Sequence, residues 1–421
     1  MKKSVKIRKI IFEILYAIHQ KSINFEEGFA YYRSSLSINE QEKSMIYNVV
    51  LNSIRNKFFI NSILNSFLKK KTSNKIRILL ISAITQIFYL DFKNYAVTFD
   101  TVEVAKIKRL NPALINALLK NLIINSKVID KQKLDNSSIP DWFIKKCNET
   151  KVDVKKIINN VSDEPSLHLV FKNKIFLNNF KEKHIKTTEN SAFIIENKKI
   201  KNIENYQNGN WWVQDFASML PIYLSSELKN KKILDMCSAP GGKAFQALSV
   251  DGDLVLNDIN PKRLKILNEN LKRLNFNCKL TNIDALKMKE EQIFDVVILD
   301  SPCSGIGTLR RNPEILFKKK PPEIKNLTNL QKNLINKAAK FLKKQGVLIY
   351  MVCSFFHEET KAIKEQFLKN NKNFSHHNFC IDQNNKYREF IDEDGDFYCI
   401  PSSFKNKMID GFYAVKFIKN N

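Results

Sequence analysis

The chain has 421 residues, 43% of them hydrophobic, and a formal net charge of +26. This length allows two or three domains of about 100–200 residues each, and the apolar fraction is ordinary for folded cores. No apolar run reaches the ~18–20 residues that a membrane-spanning helix needs, so we expect none. The charge favours a polyanionic partner, although only ten of the 69 basic residues are Arg and a bias toward Lys is the alternative explanation.

The first 20 residues, MKKSVKIRKIIFEILYAIHQ, place basic residues before an apolar stretch, as a secretory signal peptide does. Glu13 interrupts that stretch and no small-residue cleavage site follows, so an amphipathic helix is the better interpretation. The seven cysteines are scattered, without pairs at disulfide or metal-ligand spacing. This pattern predicts a reducing, cytoplasmic environment.

Residues 1–128 are predicted to form an all-α domain. Apolar residues recur there at helical spacing, as in Ile10, Ile14 and Ile18, in Ile46, Val50 and Ile54, and in Leu80, Ala83 and Ile87. Asn111-Pro112 predicts a helix start, because Pro is tolerated in the first turn. The scarcity of glycine in this part suits a compact helical bundle.

The polar residues 129–140 predict a linker, and a mixed pattern follows it. Helices are predicted near 142–156 and 178–184, and strands at 167–171 and 193–195. We therefore expect a small α+β module that ends near residue 210.

From residue 211 onward, hydrophobic strands alternate with amphipathic helices. Strands are predicted at 231–237, 254–259, 278–284, 294–300, 346–354, 374–380 and 411–418. Helices are predicted near 242–249, 261–274, 326–343 and 358–370. This alternation indicates a parallel, doubly wound sheet, in which ligands bind at the carboxyl ends of the strands.

The first of these strands runs into the motif DMCSAPGGK, residues 235–243. Its adjacent glycines, Gly241 and Gly242, let backbone amides approach a ligand closely, and the start of the next helix carries partial positive charge. The motif is neither the dinucleotide fingerprint nor a Walker A loop. Taken alone, the motif could also be a simple glycine turn between a strand and a helix.

Asp258 and Asp284 end the second and third strands. The position of Asp258 suits a carboxylate that accepts hydrogen bonds from ribose hydroxyls, and Asp284 is placed to face an adenine amino group. Each aspartate alone is more often a loop or cap residue. Polar groups at three successive strand ends together favour a cofactor that contains a nucleoside.

Two cysteines follow the next two strands. Cys303 lies in DSPCSGIG after the fourth strand, and Cys353 lies in YMVCS after the fifth. A lone cysteine is usually a small buried hydrophobe. Two cysteines at neighbouring strand ends beside a nucleoside site indicate an active site.

These motifs together resemble the bacterial 16S rRNA cytosine-5 methyltransferase B family, of the Sun or Fmu type, over nearly the whole chain. The carboxyl half carries, in family order, WWVQDFASMLP, DMCSAPGGKA, NDINPKRLKILNENLKRL, DSPCSGIGTLRRNPE, YMVCS and DGFYAVKF. The amino half resembles a NusB-like domain in IYNVVLNSIRN, LLISAITQIFYL and INALLKN.

The resemblance implies an α/β fold, a Rossmann-like class I methyltransferase domain at 211–421. An all-α NusB-like RNA-binding domain at 1–128 and the small α+β module at 129–210 would precede it. It further implies S-adenosylmethionine as cofactor and, as partner, 16S rRNA or an early small-subunit assembly intermediate. The family name specifies cytosine 967. We expect a monomer, with neither membrane nor metal involved.

By the same resemblance, Cys353 is the nucleophile that adds to carbon 6 of the cytosine, and Cys303 assists product release. Carbon 5 is a poor nucleophile until a thiolate adds to carbon 6 of a base turned out of its stack. The family's cofactor contacts fall on Cys237, Ser238, Ala239, Pro240, Gly241, Gly242, Lys243, Asp258, Asp284 and Asp300.

The sequence departs from the family pattern at Val352, commonly Thr, and at Ser238 and Ala244, commonly Ala and Thr. Valine has no hydroxyl, so we expect no side-chain hydrogen bond to substrate from position 352. Two alternatives stay open: a cytosine-5 methyltransferase of tRNA or 23S rRNA, and a non-catalytic RNA-binding assembly or antitermination factor.

Two further groups of polar residues bear on the function. Arg310, Arg311 and Lys318–Lys320 follow the PCSG motif, where a basic loop is expected to contact RNA phosphates. His376 and His377 have no other His or Cys at metal-ligand spacing, so we interpret them as structural.

Overall fold

The computed structural model divides the chain into two compact units. One comprises Met1–Glu164 and Leu309–Pro322, the other Pro165–Thr308 and Glu323–Asn421. The segment expected to form a linker and a separate module, 129–210, thus contributes to both units. The structure describes residues 2–35, 38–68, 70–131, 133–134, 136–196, 198–289, 292–379, 382 and 385–420.

The first unit is helical, as the apolar spacing predicts. Asn39 begins α3 with a capping box formed with Glu42, and Asn111 caps α7 at the predicted start. A buried ion pair, with Arg8 Nη1 2.6 Å from Asp100 Oδ2, joins α1 to α6. The helices are α1 (Lys3–Lys21), α2 (Phe25–Ser35), α3 (Glu40–Arg55), α4 (Lys57–Phe67), α5 (Asn74–Ile84), α6 (Asn94–Ile107), α7 (Pro112–Ile124), α8 (Asp141–Glu149) and α9 (Val154–Ser162).

The second unit begins with a small antiparallel sheet of order β2-β3-β1-β4, whose β1 and β3 correspond to the strands predicted at 167–171 and 193–195. Its elements are β1 (His168–Phe171), α10 (Lys174–Asn178), β2 (His184–Thr188), β3 (Ser191–Ile194) and β4 (Trp211–Val213). The helix predicted near 178–184 is wrong. Asn173 caps the start of α10 through the Ile175 and Phe176 amides, so the helix lies earlier and the chain is extended by His184.

The large sheet has the order β10-β14-β9-β8-β5-β6-β7, and β11 pairs with β14. Its strands are β5 (Lys232–Asp235), β6 (Asp253–Asn257), β7 (Lys279–Thr281), β8 (Phe294–Asp300), β9 (Leu342–Val352), β10 (Phe374–His377), β11 (Phe397–Cys399) and β14 (Phe412–Lys419). Strands β5 to β9 are parallel as predicted, but β14 pairs antiparallel with β9, so the sheet is mixed. Strands β10 and β11 pair antiparallel with β14. A hairpin of β12 (Ser402–Phe404) and β13 (Lys407–Ile409) precedes β14.

Five helices flank this sheet in the described residues: α11 (Phe216–Tyr223), α12 (Gly242–Leu248), α13 (Pro261–Arg273), α15 (Ile324–Ala339) and α16 (Lys361–Asn370). The sequence pattern does not predict α11, and the other four begin close to their predicted starts. Because β5, β6, β8 and β9 run parallel, the motifs that follow them meet at one edge of the sheet. None of the helices in the described ranges has the length and apolar character to cross a bilayer.

One short segment after the PCSG motif belongs to the helical unit. It contains α14 (Glu314–Phe317), whose Phe317 is 1% exposed and packs edge-on against the His19 ring at 5.6 Å. The Phe25 amide donates to Glu314 Oε1 at 3.3 Å, and Lys57 Nζ donates to the Leu316 carbonyl at 3.0 Å. The chain therefore leaves the second unit after residue 308, packs in the helical core and returns to the second unit at residue 323.

Candidate active site

The loop between β5 and α12 carries the first motif, and its backbone shape requires glycine. Gly241 has a φ of +112°, and a Cβ there would lie 2.3 Å from the Phe245 ring. Ser238 fixes the loop to the end of β6, because both its amide and its hydroxyl donate to the Asn257 carbonyl, at 2.9 and 3.0 Å. The serine that departs from the family pattern thus has a structural use.

Asp258 lies directly beside this loop and is 3% exposed. Its Oδ2 accepts the Ala239 amide at 3.2 Å, and its Oδ1 accepts the Asn260 amide at 2.8 Å. Arg263 approaches the same carboxylate at 3.8 Å and donates to the Ala239 carbonyl. Asp258 therefore shapes the loop that follows β5, whatever it binds in addition.

Lys243 and Asp300 connect the first motif to the end of β8. Lys243 Nζ donates to Asp300 Oδ2 at 2.7 Å and lies 4.9 Å from the centre of the Phe412 ring. Both residues were predicted as cofactor contacts, and the structure brings them together. Asp284 lies after β7, where its side chain accepts the Leu286 amide at 3.1 Å as a cap.

Asn257 is a polar residue of the site that sequence reasoning missed. It is fully buried, and its Nδ2 donates to the Met236 and Ile283 carbonyls at 3.1 and 2.9 Å. Its Oδ1 accepts the Ile283 amide at 3.0 Å. One amide side chain thereby joins the loops that follow β5 and β7, a contact that no local sequence pattern indicates.

Asp235, the first residue of the motif, was also not assigned a role from sequence. It is 1% exposed, and its Oδ1 has no hydrogen-bond partner among the described residues. Burial, with the negative charge of Asp300 added, raises the pKa of Asp235 to about 8. This carboxyl therefore holds its proton at neutral pH.

The two cysteines predicted as catalytic are in contact. Cys303 Sγ and Cys353 Sγ lie 3.2 Å apart, and both residues are half-buried. The hydrogen bond to Cys353, together with burial, raises the pKa of Cys303 well above its usual value. This shift favours the protonated form of the Cys303 thiol.

Backbone hydrogen bonds hold the two cysteine loops together. The Gly307 amide donates to the Cys353 carbonyl at 3.0 Å, and the Ser301 amide donates to the Met351 carbonyl at 2.9 Å. A Cβ at Gly307 would lie 2.0 Å from the Gly411 carbonyl oxygen, so the close approach needs glycine. The short distance between the sulfurs is thus supported by the main chain on both sides.

Val352, which stands where the family commonly has Thr, is fully buried in the apolar core. Its side chain packs on one face of the sheet, among residues such as Leu299 and Val415. A threonine hydroxyl at this position would face apolar neighbours, so valine costs the site no exposed polar group.

The basic loop differs from the prediction in one respect. Arg310 is 5% exposed within the helical unit, so it is too deeply buried to contact a phosphate, whereas Arg311, Lys319 and Lys320 are exposed. Arg310 is buried because the chain turns into the helical core there, which a charge pattern does not reveal.

The two late histidines both hydrogen-bond to acidic side chains. His376 Nε2 lies 2.7 Å from Asp396 Oδ1, and His377 Nε2 lies 3.1 Å from Glu227 Oε1. These contacts connect β10 to neighbouring parts of the unit, which supports the structural interpretation.

Comparisons with known proteins agree with this architecture. Residues 222–418 match the family described as 16S rRNA methyltransferase RsmB/F, and residues 5–123 match the NusB family. Ribosomal RNA small subunit methyltransferase B of Photorhabdus laumondii is 36% identical over 37% of this chain and 38% of its own length. The probable methyltransferase B of Coxiella burnetii is 28% identical over 69% of this chain and 74% of its own length.

Two solved structures share the fold. The crystal structure of PH0851 has a TM-score of 0.69 and 18% identity, covering 100% of this chain and 99% of the other. NSun6 from Pyrococcus horikoshii, solved with SFG, has a TM-score of 0.54 and 17% identity over 68% of this chain and 99% of the other. Residues 222–418 are therefore similar to the RsmB/F family of S-adenosylmethionine-dependent methyltransferases, and residues 5–123, which precede them, are similar to the NusB family.

Proposed function

We propose that this protein methylates carbon 5 of a cytosine in small-subunit rRNA through a covalent bond between Cys353 and carbon 6. The observation that carries the proposal is the pair of cysteine sulfurs 3.2 Å apart at the ends of β8 and β9. The name of the matched family and those of the relatives in Photorhabdus and Coxiella support ribosomal RNA of the small subunit as the substrate class.

The residues at the strand ends fit S-adenosylmethionine, which has a positive charge and a nucleoside. A buried carboxyl oxygen of Asp235 has no partner, and the carboxylates of Asp258 and Asp300 lie at the neighbouring strand ends. We assign cofactor binding to the carboxylates of Asp258, Asp284 and Asp300 and to the loop residues 237–243. When bound, the cofactor supplies an electrophilic methyl group.

The chemistry of cytosine defines what the cysteines do. The Cys353 thiolate forms a bond to carbon 6, and the electron pair displaced onto carbon 5 makes that carbon nucleophilic. Once carbon 5 is methylated, its proton is removed and the bond between carbon 6 and sulfur breaks. The ring double bond is then restored, and Cys353 leaves as a thiolate. Cys303 assists the proton removal.

The raised pKa of Cys303 supports this division of roles. A thiol that keeps its proton can donate a hydrogen bond to the neighbouring Cys353 sulfur, 3.2 Å away. Once Cys353 is bonded to carbon 6, it no longer raises the pKa of Cys303, so Cys303 can release its proton to water and then, as a thiolate, accept the carbon 5 proton.

The roles are tested by replacing each cysteine and running labelled rRNA with cofactor on a denaturing gel. Cys353→Ala should abolish methylation and any covalent adduct, because nothing adds to carbon 6. Cys303→Ala should accumulate an adduct that survives denaturation, because product release stalls after attack. Cys278→Ala, at a half-buried cysteine elsewhere in the same unit, is the matched control and should behave as the wild type.

Three outcomes are distinguishable on that gel. An adduct with Cys303→Ala and none with Cys353→Ala supports the proposal. An adduct with Cys353→Ala reverses the assignment. The absence of an adduct from both variants, with methylation retained, would show that the cysteines have only a structural role.

The target within RNA rests on family resemblance, which points to the cytosine-967 class in 16S rRNA. Bisulfite sequencing of rRNA and tRNA from a deletion strain tests it. Loss of one protected cytosine in 16S rRNA is expected. Loss of a protected cytosine in tRNA or 23S rRNA, with 16S rRNA unchanged, would move the enzyme to another substrate class.

A further inference from the structure

Glu359 is a fully buried carboxylate that lies between the two cysteine loops. It lies six residues after Cys353, in the short helical turn His357–Glu359 that precedes α16. Neither the motifs nor their spacing predicts a role for it. A buried carboxylate is costly unless hydrogen bonds compensate it, so the partners of Glu359 indicate what the residue does.

Both carboxylate oxygens accept hydrogen bonds from the residues that follow the two cysteines. Oε1 accepts the Ser304 amide at 2.8 Å, and Oε2 accepts the Ser304 hydroxyl at 2.5 Å. Oε2 also accepts the Ser354 hydroxyl at 2.6 Å. Ser304 adjoins Cys303 and Ser354 adjoins Cys353, so one side chain holds both loops.

The position of Glu359 is itself fixed from two directions. Gln331 on α15 donates from Nε2 to Glu359 Oε1 at 3.1 Å and to the Pro302 carbonyl at 3.0 Å. The Tyr350 hydroxyl on β9 donates to the Glu359 carbonyl at 2.9 Å. The backbone of Glu359 is thus bound to the sheet and its carboxylate to α15, so its position does not depend on the two cysteine loops alone.

We propose that Glu359 is a positioning residue that sets the separation and relative orientation of the Cys303 and Cys353 sulfurs. The catalytic part of this inference rests on the proposed roles of the two cysteines. Glu359 touches neither sulfur, and it acts through Ser304 and Ser354. Its negative charge also contributes to the raised pKa of Cys303, which helps to keep the proton on that sulfur.

The first test measures sulfur proximity without RNA or cofactor. The azo oxidant diamide converts two neighbouring thiols to a disulfide and takes up their two hydrogens as it is reduced to the hydrazine. The rate of formation of the Cys303–Cys353 peptide, followed by mass spectrometry, should fall at least tenfold in Glu359→Gln. The amide keeps one acceptor oxygen but replaces the acceptor shared by the two hydroxyls with a donor.

The matched control is Glu365→Gln, which removes an exposed carboxylate from α16 and should oxidise at the wild-type rate. Glu359→Ala should be slower than Glu359→Gln, since it removes both acceptor oxygens. If the alanine variant fails to fold, Glu359→Gln still decides the question. A wild-type oxidation rate in Glu359→Gln would overturn the proposal.

The second test separates positioning from general damage to the fold. One hydrogen bond to a charged group corresponds to roughly a ten- to hundredfold effect, so kcat for methylation in Glu359→Gln should fall by that factor. The cofactor Kd and the KM for RNA should stay unchanged, because neither ligand is assigned to Glu359. An equal loss in cofactor affinity, or an unchanged kcat, would contradict the positioning role.

The two proposals fail separately. Slow oxidation of Glu359→Gln, in an enzyme whose cysteine variants form no adduct, would leave the positioning role standing and remove the covalent mechanism. Oxidation of Glu359→Gln at the wild-type rate, in an enzyme whose Cys303→Ala variant traps RNA, would remove the positioning role and leave the covalent mechanism standing.

Discussion

Replacing Asp235 by Asn should change how the stability of the second unit depends on pH. Asp235 ends β5, is 1% exposed and has a pKa raised to about 8 by burial and by Asp300. An aspartate in an unfolded chain has a pKa of about 3.9. The folded protein therefore holds a proton at neutral pH that the unfolded chain has lost, whereas an asparagine is neutral in both states.

The sign of the effect follows from proton linkage. The stability that comes from this protonated carboxyl is fully present below about pH 4 and is lost as the pH rises toward 8. Within that window the unfolded state binds about one proton fewer, so the free energy of unfolding falls by about 1.4 kcal/mol per pH unit. Over the whole window the loss approaches about 6 kcal/mol.

Urea unfolding of wild type and Asp235→Asn, from about pH 5 to about pH 8, measures this difference. The signal should come from the second unit alone, because two units need not unfold together. A Trp142→Phe background achieves this, since Trp142 lies in the helical unit while Trp211 and Trp212 are buried in the second. Asp253→Asn, at an exposed carboxylate on β6, is the matched control.

The expected result is a wild-type stability that declines relative to Asp235→Asn as the pH rises, so that the substitution is increasingly stabilising. Parallel curves for the two proteins would refute the reasoning, because they would mean that Asp235 is already ionised in the folded state. A decline shared by Asp253→Asn and wild type, and absent from Asp235→Asn, would assign the proton to Asp235.

Two further predictions concern the cofactor and RNA. Asp258→Ala removes the acceptor of the Ala239 amide, and a hydrogen bond to a charged group is worth about 1.5–3 kcal/mol. Calorimetry should therefore show that cofactor binding is weakened by one or two orders of magnitude. An unchanged affinity would mean that Asp258 is not part of the cofactor site. Tyr95 and Phe99 lie four residues apart on α6, and their side chains are 74% and 50% exposed. If the helical unit binds single-stranded rRNA by stacking bases on these rings, the double substitution Tyr95→Ala plus Phe99→Ala should weaken RNA binding at least fivefold. Ile124→Ala, at an 80% exposed residue without a ring, should leave filter-binding curves unchanged, and equal effects from all these substitutions would argue against stacking.

The parts of the fold that sequence predicts are those governed by local pattern. Strand β8 has the predicted bounds, and α12 and α13 each end one residue before their predicted ends, because buried strands and amphipathic helices leave strong periodic signals. The antiparallel direction of β14 left no such signal. An apolar strand reads the same in either direction, and only the chain's path between β9 and β14 decides its orientation.

The segment 309–322 shows a different limit. Its charges, Arg310 and Lys318–Lys320, predict an exposed loop, yet Phe317 packs in the core of the helical unit. Nothing within the segment indicates which core its aromatic ring enters, since the partner helices lie about 250 residues earlier in the chain. Burial of Arg310 follows from that distant contact and not from the local sequence.

The candidate site divides in the same way. Cys303, Cys353 and the loop before Lys243 can be found from sequence because their chemistry or backbone geometry needs particular residue types. Glu359 and Asp235 are ordinary acidic residues, and what distinguishes them is burial together with the groups that three-dimensional packing brings to them. An acid that must accept four hydrogen bonds from two loops and a helix can be recognised only once those loops have met. The residues that perform the proposed reaction can therefore be predicted from the sequence, whereas the residues that hold them in place can be identified only in the structure.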